Sequence, residues 1–312
     1  MIISRIRLGT RGSRLALAQA ESVRAQLLAL RPDAEVEITV VKTSGDLGKR
    51  ERLGAFVGEI QDALLEGRVD VGLHCLKDLP TRPVPGLRLS AYLEREDPRD
   101  TLISRGHTIA SLPEGAVVGT GSLRRTSQLA AIRSDLVFKP LVGNVDTRMR
   151  KLMSGEYDAI ILAVAGLIRL DLMANWHNGD YRELQVFPLS PEEMLPSAGQ
   201  AVLVLETREG DAGAHEWVRG LDHAPSRVSA IAERAFLNAF GGGCSLPVAS
   251  LAQPVESGYS FSGLVSSPDG QDSIRAEFVA SEATLADEAR QMAEAMIQKG
   301  ALSLFEPRSG VL

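Results

Sequence analysis

Short apolar runs alternate with amphipathic segments along most of the chain, a pattern typical of an α/β protein. In the first part, the apolar runs predict strands at Arg5–Leu8, Glu35–Val41, Val69–Leu73 and Leu87–Leu93. Amphipathic spacing between them predicts helices at Ser13–Leu30 and Ala55–Glu66. The charged run from Glu94 to Asp100 is broken by a proline and predicts a hinge.

A second α/β unit follows the hinge. Its predicted strands lie near Thr101–Ser104, Ala116–Gly119, Leu136–Leu141 and Ala159–Val164, and its helices at Leu123–Arg133 and Thr147–Met153. The segment Pro188–Pro196 predicts a second crossing, after which Ala201–Glu206 returns a strand to the first unit. From Ser226 the pattern changes to a helix (Ser226–Phe240), a glycine-rich turn, strand-like segments and a final helix (Ala283–Lys299), which predicts a further α+β domain.

The most informative junction is the one after the predicted strand at 116–119. A Gly-Thr-Gly turn containing Thr120 ends this strand, and Ser122 is placed to cap the helix that begins at Leu123. Arg124 and Arg125 then fall in the first turn, at the positive end of the helix dipole, where cations are normally disfavoured. An anion bound by these side chains and by free backbone N–H groups would explain them. The alternative is a solvated arginine pair on a surface helix.

Two other junctions have the same character. Gly9-Thr10-Arg11-Gly12-Ser13 follows the first predicted strand and offers a Gly-Thr turn, an arginine and a serine cap. The third junction runs from Leu141 to Arg148. Three such strand–loop–helix junctions favour a ligand with several carboxylates or phosphates, because open α/β sheets bind ligands beyond the carboxyl ends of their strands.

Composition limits the classes of function. The 312 residues carry a formal net charge of −6, so nucleic acid is a poor candidate partner. No apolar run reaches membrane-spanning length, no signal peptide is evident, and two cysteines fit a reducing cytosol better than a disulfide scaffold. The histidines and cysteines do not fall at metal-ligand spacing, so no metal site is predicted.

Two further motifs could carry chemistry. Lys77 and Asp78 follow the buried strand that ends near Leu73, and a carboxylate beside cations stays ionised and can accept a proton or face a developing positive charge. A solvated Lys-Asp turn is the alternative, and the neighbouring His74 and Cys75 are interpreted as packed residues.

Three glycines precede Cys244 and predict a loop whose backbone can approach a ligand closely. An exposed thiol there suits a nucleophile or a covalent attachment point, whereas the alternative is a glycine-rich turn with an incidental cysteine.

Taken in order, these motifs resemble the hydroxymethylbilane synthase (porphobilinogen deaminase) family over nearly the whole chain. The resemblance rests on LGTRGSRLALAQA, HCLKDLP, EREDPRD, VGTGSLRR, GEYDAIILAVAGLIRL, LPSAGQ and GGGCSLP. It implies two lobes like those of periplasmic binding proteins, joined by a double hinge, and a small α+β domain. The implied boundaries are 1–94 with 197–214 for lobe 1, 99–190 for lobe 2, and 218–312 for the C-terminal domain.

The resemblance also implies the reaction. Four porphobilinogen molecules would be condensed head to tail, with release of ammonia, into hydroxymethylbilane on a dipyrromethane cofactor held by a thioether to Cys244. Asp78 would be the catalytic residue, stabilising a cationic azafulvene-type intermediate. Cofactor contacts would come from Lys77, Thr120, Ser122, Arg124 and Arg125, and substrate contacts from Arg11, Ser13, Arg148, Arg169 and Asp46. The implied protein is a cytoplasmic monomer without nucleic acid, membrane or metal partners.

Four departures from the family pattern bear on elongation. Val142 stands where the family usually has arginine, the loop near residues 46–58 is shortened and altered, Ala201 replaces a common glycine, and Ser245 replaces a usual glutamine. Two alternatives therefore stay open: a non-catalytic two-lobed binding protein for an anionic pyrrole, and a paralogue of low activity.

Overall fold

The computed structural model describes residues 5–42, 57–243 and 246–306. These residues form two five-stranded mixed sheets and one three-stranded antiparallel sheet. Helices alternate with strands along most of the chain. The α/β class predicted from the hydrophobic pattern is confirmed.

The first sheet is built mainly from the N-terminal part of the chain. Its elements there are β1 (Arg5–Thr10), α1 (Arg14–Leu30), β2 (Glu35–Val40), α2 (Gly58–Leu65), β3 (Val71–Cys75) and β4 (Leu87–Tyr92). Strand β1 lies between β2 and β3 and is parallel to both. The predicted start of β3 at Val69 is two residues early, because the Val69 N–H closes the turn after α2 by donating to the Ala63 carbonyl.

The second sheet repeats this arrangement. Its elements are β5 (Asp100–Ser104), β6 (Val117–Gly119), α3 (Leu123–Ile132), β7 (Val137–Lys139), α4 (Val145–Met153), β8 (Ala159–Ala163), α5 (Val164–Arg169) and β9 (Gln185–Pro188). Strand β6 is parallel to β7 and β8, whereas β5 is antiparallel to β8 and β9. Strand β9 is not predicted from the sequence, since only Val186 and Phe187 of its four residues are apolar and so short a segment shows no periodicity.

After the second sheet the chain returns to the first. Strand β10 (Leu203–Arg208) inserts between β3 and β4 and is antiparallel to both. The predicted double crossing is therefore confirmed: the chain leaves the first sheet after β4 and comes back at β10. Helices α6 (Ala212–Val218) and α7 (Ala224–Ala239) follow.

A charged network supports the first sheet at β1. Asp70 accepts hydrogen bonds from the Arg7 backbone N–H at 2.9 Å and from its guanidinium at 2.7 and 3.0 Å, and Arg208 of β10 lies 3.5 Å away. Burial by itself would raise the pKa of Asp70, but the hydrogen bonds and charge of Arg7 outweigh it and hold that pKa below its ordinary value.

The C-terminal sheet is a meander of β11 (Val248–Val255), β12 (Gly258–Ser266) and β13 (Ser273–Ala280), followed by α8 (Leu285–Gln298). Phe236 of α7 packs on Phe261 of β12, with ring centroids 5.5 Å apart. By compactness the chain falls into two units, residues 1–96 with 201–230 and residues 97–200 with 231–312. Among the described helices, none combines the length and apolar character needed to cross a membrane.

Candidate active site

In the first unit, two predicted site segments follow neighbouring strands. β1 and β3 are parallel, with Gly9 paired to Gly72, so their carboxyl ends share one edge of the sheet. The Arg11–Ser13 turn leaves that edge from β1, and a 3₁₀ turn, Leu76–Asp78, leaves it from β3. The fold therefore brings Arg11, Ser13, Lys77 and Asp78 to one end of this sheet.

The turn after β1 is fixed by its hydroxyl groups. The Ser13 side chain accepts a hydrogen bond from the Ala16 N–H at 3.3 Å and caps α1, as predicted. Thr10 is buried, and its hydroxyl donates to the Ala16 carbonyl at 3.4 Å. The Thr10 bond ties the strand to the start of the helix and the Ser13 bond caps the helix, so the backbone of the Arg11 turn is held between two anchored residues.

Asp78 is exposed on a rigid support. Leu76 and Leu79, on either side of Lys77 and Asp78, are both buried, and the Leu76 N–H donates to the Val202 carbonyl at 3.0 Å. The Leu79 N–H closes the turn on the Leu76 carbonyl at 3.1 Å. Two buried leucines thus fix the backbone while the carboxylate of Asp78 stays accessible to a ligand.

The histidine beside this turn is buried, as interpreted from the sequence, and it is also paired. His74 Nε2 lies 3.0 Å from a Glu206 carboxylate oxygen, and the Gln61 amide donates to the same carboxylate at 3.1 Å. Cys75 is half-buried, with its Sγ 3.7 Å from the Gln19 side chain. His74 and Cys75 lie on β3 and Glu206 on β10, so these paired side chains belong to the sheet that precedes the turn carrying Asp78.

In the second unit, the turns after β6 and β7 are joined directly. The Thr120 N–H donates to the Lys139 carbonyl at 3.0 Å, and the Thr120 hydroxyl accepts from the Ser122 N–H at 3.2 Å. Because β6 and β7 are parallel neighbours, the Thr120–Ser122 turn and the loop leading to Arg148 leave the same edge of this sheet.

The prediction that Ser122 caps α3 is confirmed for its position but not for its side chain. Ser122 occupies the N-cap position of α3, but its side chain accepts no hydrogen bond from the first turn of the helix. Its own N–H is instead turned toward Thr120, which fixes the backbone without the serine hydroxyl. At the next junction Asn144 caps α4 by accepting from the Thr147 N–H at 2.9 Å, so that helix begins two residues before the predicted start.

The arginine pair is buried, which the sequence did not lead us to expect. Arg124 and Arg125 are 4% and 7% exposed, and both bind the carboxylate of Asp100, whose exposure is 0%. Each arginine places an Nη2 atom 2.7 Å from one of the two Asp100 oxygens. Their Nη1 atoms donate to the carbonyls of Leu195 and Ile161, at 2.6 and 3.0 Å.

Gln200 completes this group, which we call the Asp100 cluster (Asp100, Arg124, Arg125 and Gln200). The Gln200 amide donates to Asp100 Oδ1 at 3.0 Å and to the Pro98 carbonyl at 2.8 Å. Burial lowers the pKa of Arg124, and the neighbouring charge of Arg125 lowers it further, although Asp100 opposes both effects. The cluster holds two guanidinium groups and one carboxylate, so its formal charge is positive.

The remaining predicted site residues are not part of the Asp100 cluster. The Arg148 Nε donates to the Gly143 carbonyl at 2.8 Å, which fixes this arginine against its own loop. Arg169 lies in the last turn of α5, one short helix beyond the end of β8. Asp46 and Cys244 lie outside the described residues.

The donor set on the second unit fits a ligand with carboxylates. A carboxylate loses its hydration in a neutral pocket and is also repelled in an acidic one, whereas the Asp100 cluster carries an excess positive charge in a poorly solvated place. Thr120 and Ser122 add hydroxyl groups at the start of the same helix, where its dipole also favours anions. A dipyrromethane, which bears acetate and propionate groups, is matched by these donors.

Residues 6–216 match the sequence profile described as porphobilinogen deaminase, dipyrromethane cofactor-binding domain, and residues 228–299 match that of the C-terminal domain of porphobilinogen deaminase. The chain belongs to the porphobilinogen deaminase family. Membership makes it a transferase of tetrapyrrole biosynthesis that assembles porphobilinogen units on a dipyrromethane cofactor, as the sequence motifs predicted.

Relatives in this family are similar over almost their full length. The porphobilinogen deaminase of Thermus thermophilus is 47% identical over 272 residues, covering 86% of this chain and 87% of the relative. That of Syntrophomonas wolfei is 39% identical over 307 residues, covering 96% and 97%. Among solved structures, the periplasmic VFT2 domain of BvgS from Bordetella pertussis aligns with a TM-score of 0.39 and 16% identity, over 70% of this chain and 86% of that domain.

Sequence reasoning missed Asp100 and Gln200. Asp100 was assigned to a charged hinge segment and Gln200 to a family motif, and neither was given a role at the site. The sequence did indicate a nearby anionic group, because the two arginines stand in the first turn of a helix, where cations are disfavoured. The structure shows that part of that anion is supplied by the protein itself.

Proposed function

We propose that the enzyme condenses four porphobilinogen molecules into hydroxymethylbilane through the residues placed at the two strand edges. The observation that carries this proposal is the match to both family domains, combined with cationic and hydroxyl side chains at the strand ends of each large sheet. When bound, the dipyrromethane would supply the pyrrole carbon on which the new chain is built.

Carboxylate binding falls to the arginine and hydroxyl residues. We assign Thr120, Ser122, Arg124 and Arg125, with Lys77, to the acetate and propionate groups of the cofactor. Arg11, Ser13, Arg148, Arg169 and Asp46 are assigned to the substrate. Guanidinium groups suit this task because their planar donors match a carboxylate in two parallel hydrogen bonds.

Asp78 is assigned the catalytic role. Loss of ammonia from porphobilinogen leaves a positive charge that spreads over the pyrrole ring. An ionised carboxylate on a fixed backbone stabilises that charge, accepts a hydrogen bond from the pyrrole N–H, and can take up the proton that is lost when the new carbon–carbon bond forms. Its exposure on the Leu76–Leu79 turn is what this role requires.

We further propose that the protein works as a monomer in the cytoplasm, with the three domains that the family resemblance implies, and that the thioether forms at Cys244. The assignment of Cys244 is supported by its place in the family motif after three glycines. Cys75 offers a contrast, since it lies half-buried on β3 beside Gln19.

The first test is the intact mass of the purified protein, with peptide mapping of both cysteines. We expect two linked pyrrole units on Cys244 in the wild type and in Cys75→Ser, and none in Cys244→Ser. Porphobilinogen consumption then separates an efficient enzyme from a paralogue of low activity. A Cys244 that stays bare after incubation with preformed hydroxymethylbilane would overturn the proposal and favour a binding protein.

A further inference from the structure

The charge balance of the Asp100 cluster gives the starting point. Two guanidinium groups and one carboxylate are almost completely removed from water, and burying an unpaired charge costs several kcal/mol. One positive charge therefore remains without an anionic partner inside this group. Arg124 and Arg125, which carry this charge, are two of the residues assigned above to the carboxylates of the cofactor.

The geometry of Asp100 shows how the two arginines are held. Its two oxygens are divided between them: Oδ2 lies 2.7 Å from Arg124 Nη2, and Oδ1 accepts from Arg125 Nη2 at 2.7 Å and from Arg125 Nε at 3.1 Å. The Leu195 and Ile161 carbonyls take a further donor from each side chain. Each guanidinium plane is thus fixed from two sides, and each guanidinium still carries N–H donors beyond those used in these contacts.

Gln200 fixes Asp100 in turn. Its amide nitrogen donates both to Asp100 Oδ1 and to the Pro98 carbonyl, so the carboxylate cannot turn without losing its hydrogen bond to an amide that is itself tied to the backbone two residues earlier. Gln200 and Asp100 both lie where the backbone changes sheets, one at each crossing. A single amide therefore links both crossing segments to the arginine pair.

We propose that Asp100 is a positioning residue for dipyrromethane assembly. It neutralises half of the buried arginine charge and holds both guanidinium groups in the orientation that receives the cofactor carboxylates. Gln200 supports it by fixing the carboxylate. This inference rests on the proposed function, and it adds a carboxylate whose effect is transmitted through Arg124 and Arg125.

The test compares Asp100→Asn, Asp100→Glu and a matched control, Glu206→Gln. Glu206 is also a buried carboxylate in a sheet, but its side chain pairs with His74 and Gln61, neither of which is assigned to the cofactor. Each variant is produced without cofactor, incubated with preformed hydroxymethylbilane, and followed by intact mass and thermal melting.

We expect Asp100→Asn to acquire the dipyrromethane mass at least 10-fold more slowly than the wild type. The loaded fraction should turn over with a reduced kcat and a KM for porphobilinogen within about twofold of the wild-type value, because the affected carboxylates belong to the cofactor. Asp100→Glu restores the charge and should recover part of the loading rate. Glu206→Gln should melt at a lower temperature yet load at the wild-type rate.

Loading of Asp100→Asn at the wild-type rate, with only a lower melting temperature, would overturn the proposal. So would an equal slowing in Glu206→Gln. If Asp100→Asn does not fold, Gln200→Met provides the second test, because it keeps every charge but frees the Asp100 carboxylate to turn. We expect Gln200→Met to slow cofactor loading about 3- to 10-fold. An unchanged loading rate would contradict the proposal. Failure of the wild type to load would instead refute the proposed function.

Discussion

Val142 offers a direct test of how charge at the third junction controls elongation. It lies in the loop between β7 and α4, is 48% exposed, and precedes Gly143, whose carbonyl accepts from the Arg148 Nε. The family resemblance implies arginine at this position. We predict that Val142→Arg accelerates the later additions of porphobilinogen, because each added ring brings two more carboxylates to be bound.

The magnitude depends on exposure. A buried hydrogen bond to a charged group contributes about 1.5–3 kcal/mol, which would correspond to roughly a 10- to 150-fold effect. A half-exposed side chain forms a weaker contact of about 0.2–1 kcal/mol, and repulsion from Arg148 removes some of this gain. Solvent screening therefore limits the gain, and we expect about a 1.4- to fourfold faster late step with a stability change within about 0.5 kcal/mol.

The assay is a rapid-quench experiment read by intact mass, which resolves enzyme carrying successive additions. Val142→Arg should accumulate less of the partly elongated complexes than the wild type. Val137→Arg is the matched control, since Val137 is 44% exposed on β7 and the substitution adds the same charge to a chain of formal net charge −6. Unchanged accumulation in Val142→Arg, or an equal decrease in both variants, would refute the reasoning.

Four further predictions concern the sites and their supports. Asp78→Asn should lower kcat by about 10²- to 10⁴-fold without changing the melting temperature, because the carboxylate is exposed; a loss below tenfold would contradict its assigned role. Asp70→Asn should destabilise the protein by about 1–3 kcal/mol at pH 7 in urea unfolding. Because the folded-state pKa of Asp70 is lowered, this difference from the wild type should close only below about pH 4, the ordinary aspartate pKa, and closure at a higher pH would argue against it. Ala201 has a φ of 72°, so Ala201→Gly should raise the free energy of unfolding by up to about 1 kcal/mol, and a decrease would show that no strain is relieved. Ser13→Ala should lower the free energy of unfolding by about 1 kcal/mol, because it removes the N-cap of α1. Ser122→Ala should change that free energy by less than about 0.5 kcal/mol, because the Ser122 hydroxyl makes no cap, but it should slow cofactor assembly. Equal melting temperatures for the two variants would contradict this difference.

The fold was largely predictable because its signals are local. Strand β8 is a continuous apolar run and β10 begins with one, and helices α1, α3 and α4 begin at serine or asparagine residues that are typical of N-caps. Strand β9 was missed because its stability comes from pairing with β5, and pairing over a long sequence separation leaves no mark in a four-residue segment.

The candidate site was predictable only for residues whose positions are set by strand ends. The turns after β1, β3, β6 and β7 could be assigned to sheet edges from the sequence. The burial of Arg124 and Arg125 could not, because it depends on Asp100, which arrives from a strand two positions away in the sheet. A charged residue in a polar segment gives no indication that tertiary packing will remove it from water.

The two large sheets explain why similar turns have different uses. Across the first sheet the strand order is β2-β1-β3-β10-β4, and across the second it is β7-β6-β8-β5-β9. In each sheet the first three strands of this order are parallel, and the middle one of the three comes first in the sequence. The fourth strand is antiparallel and lies next to a crossing, and the fifth forms the edge. The Gly-Thr turns after β1 and β6 therefore occupy equivalent places, which gives structural support to the view that one device is used twice. Their serines differ, since the Ser13 hydroxyl caps its helix and that of Ser122 does not.

The third parallel strand of each sheet differs as well. After β3 the chain makes the short turn that presents Asp78, whereas after β8 it enters α5 and carries Arg169 one helix away from the sheet. Because the strands are equivalent, the difference lies in the segments at their carboxyl ends, which carry Lys77 and Asp78 in the first sheet and Arg169 in the second. Under the proposed roles, the only catalytic carboxylate comes from the first unit and most of the proposed cofactor contacts come from the second, a division that neither strand order nor net charge would reveal.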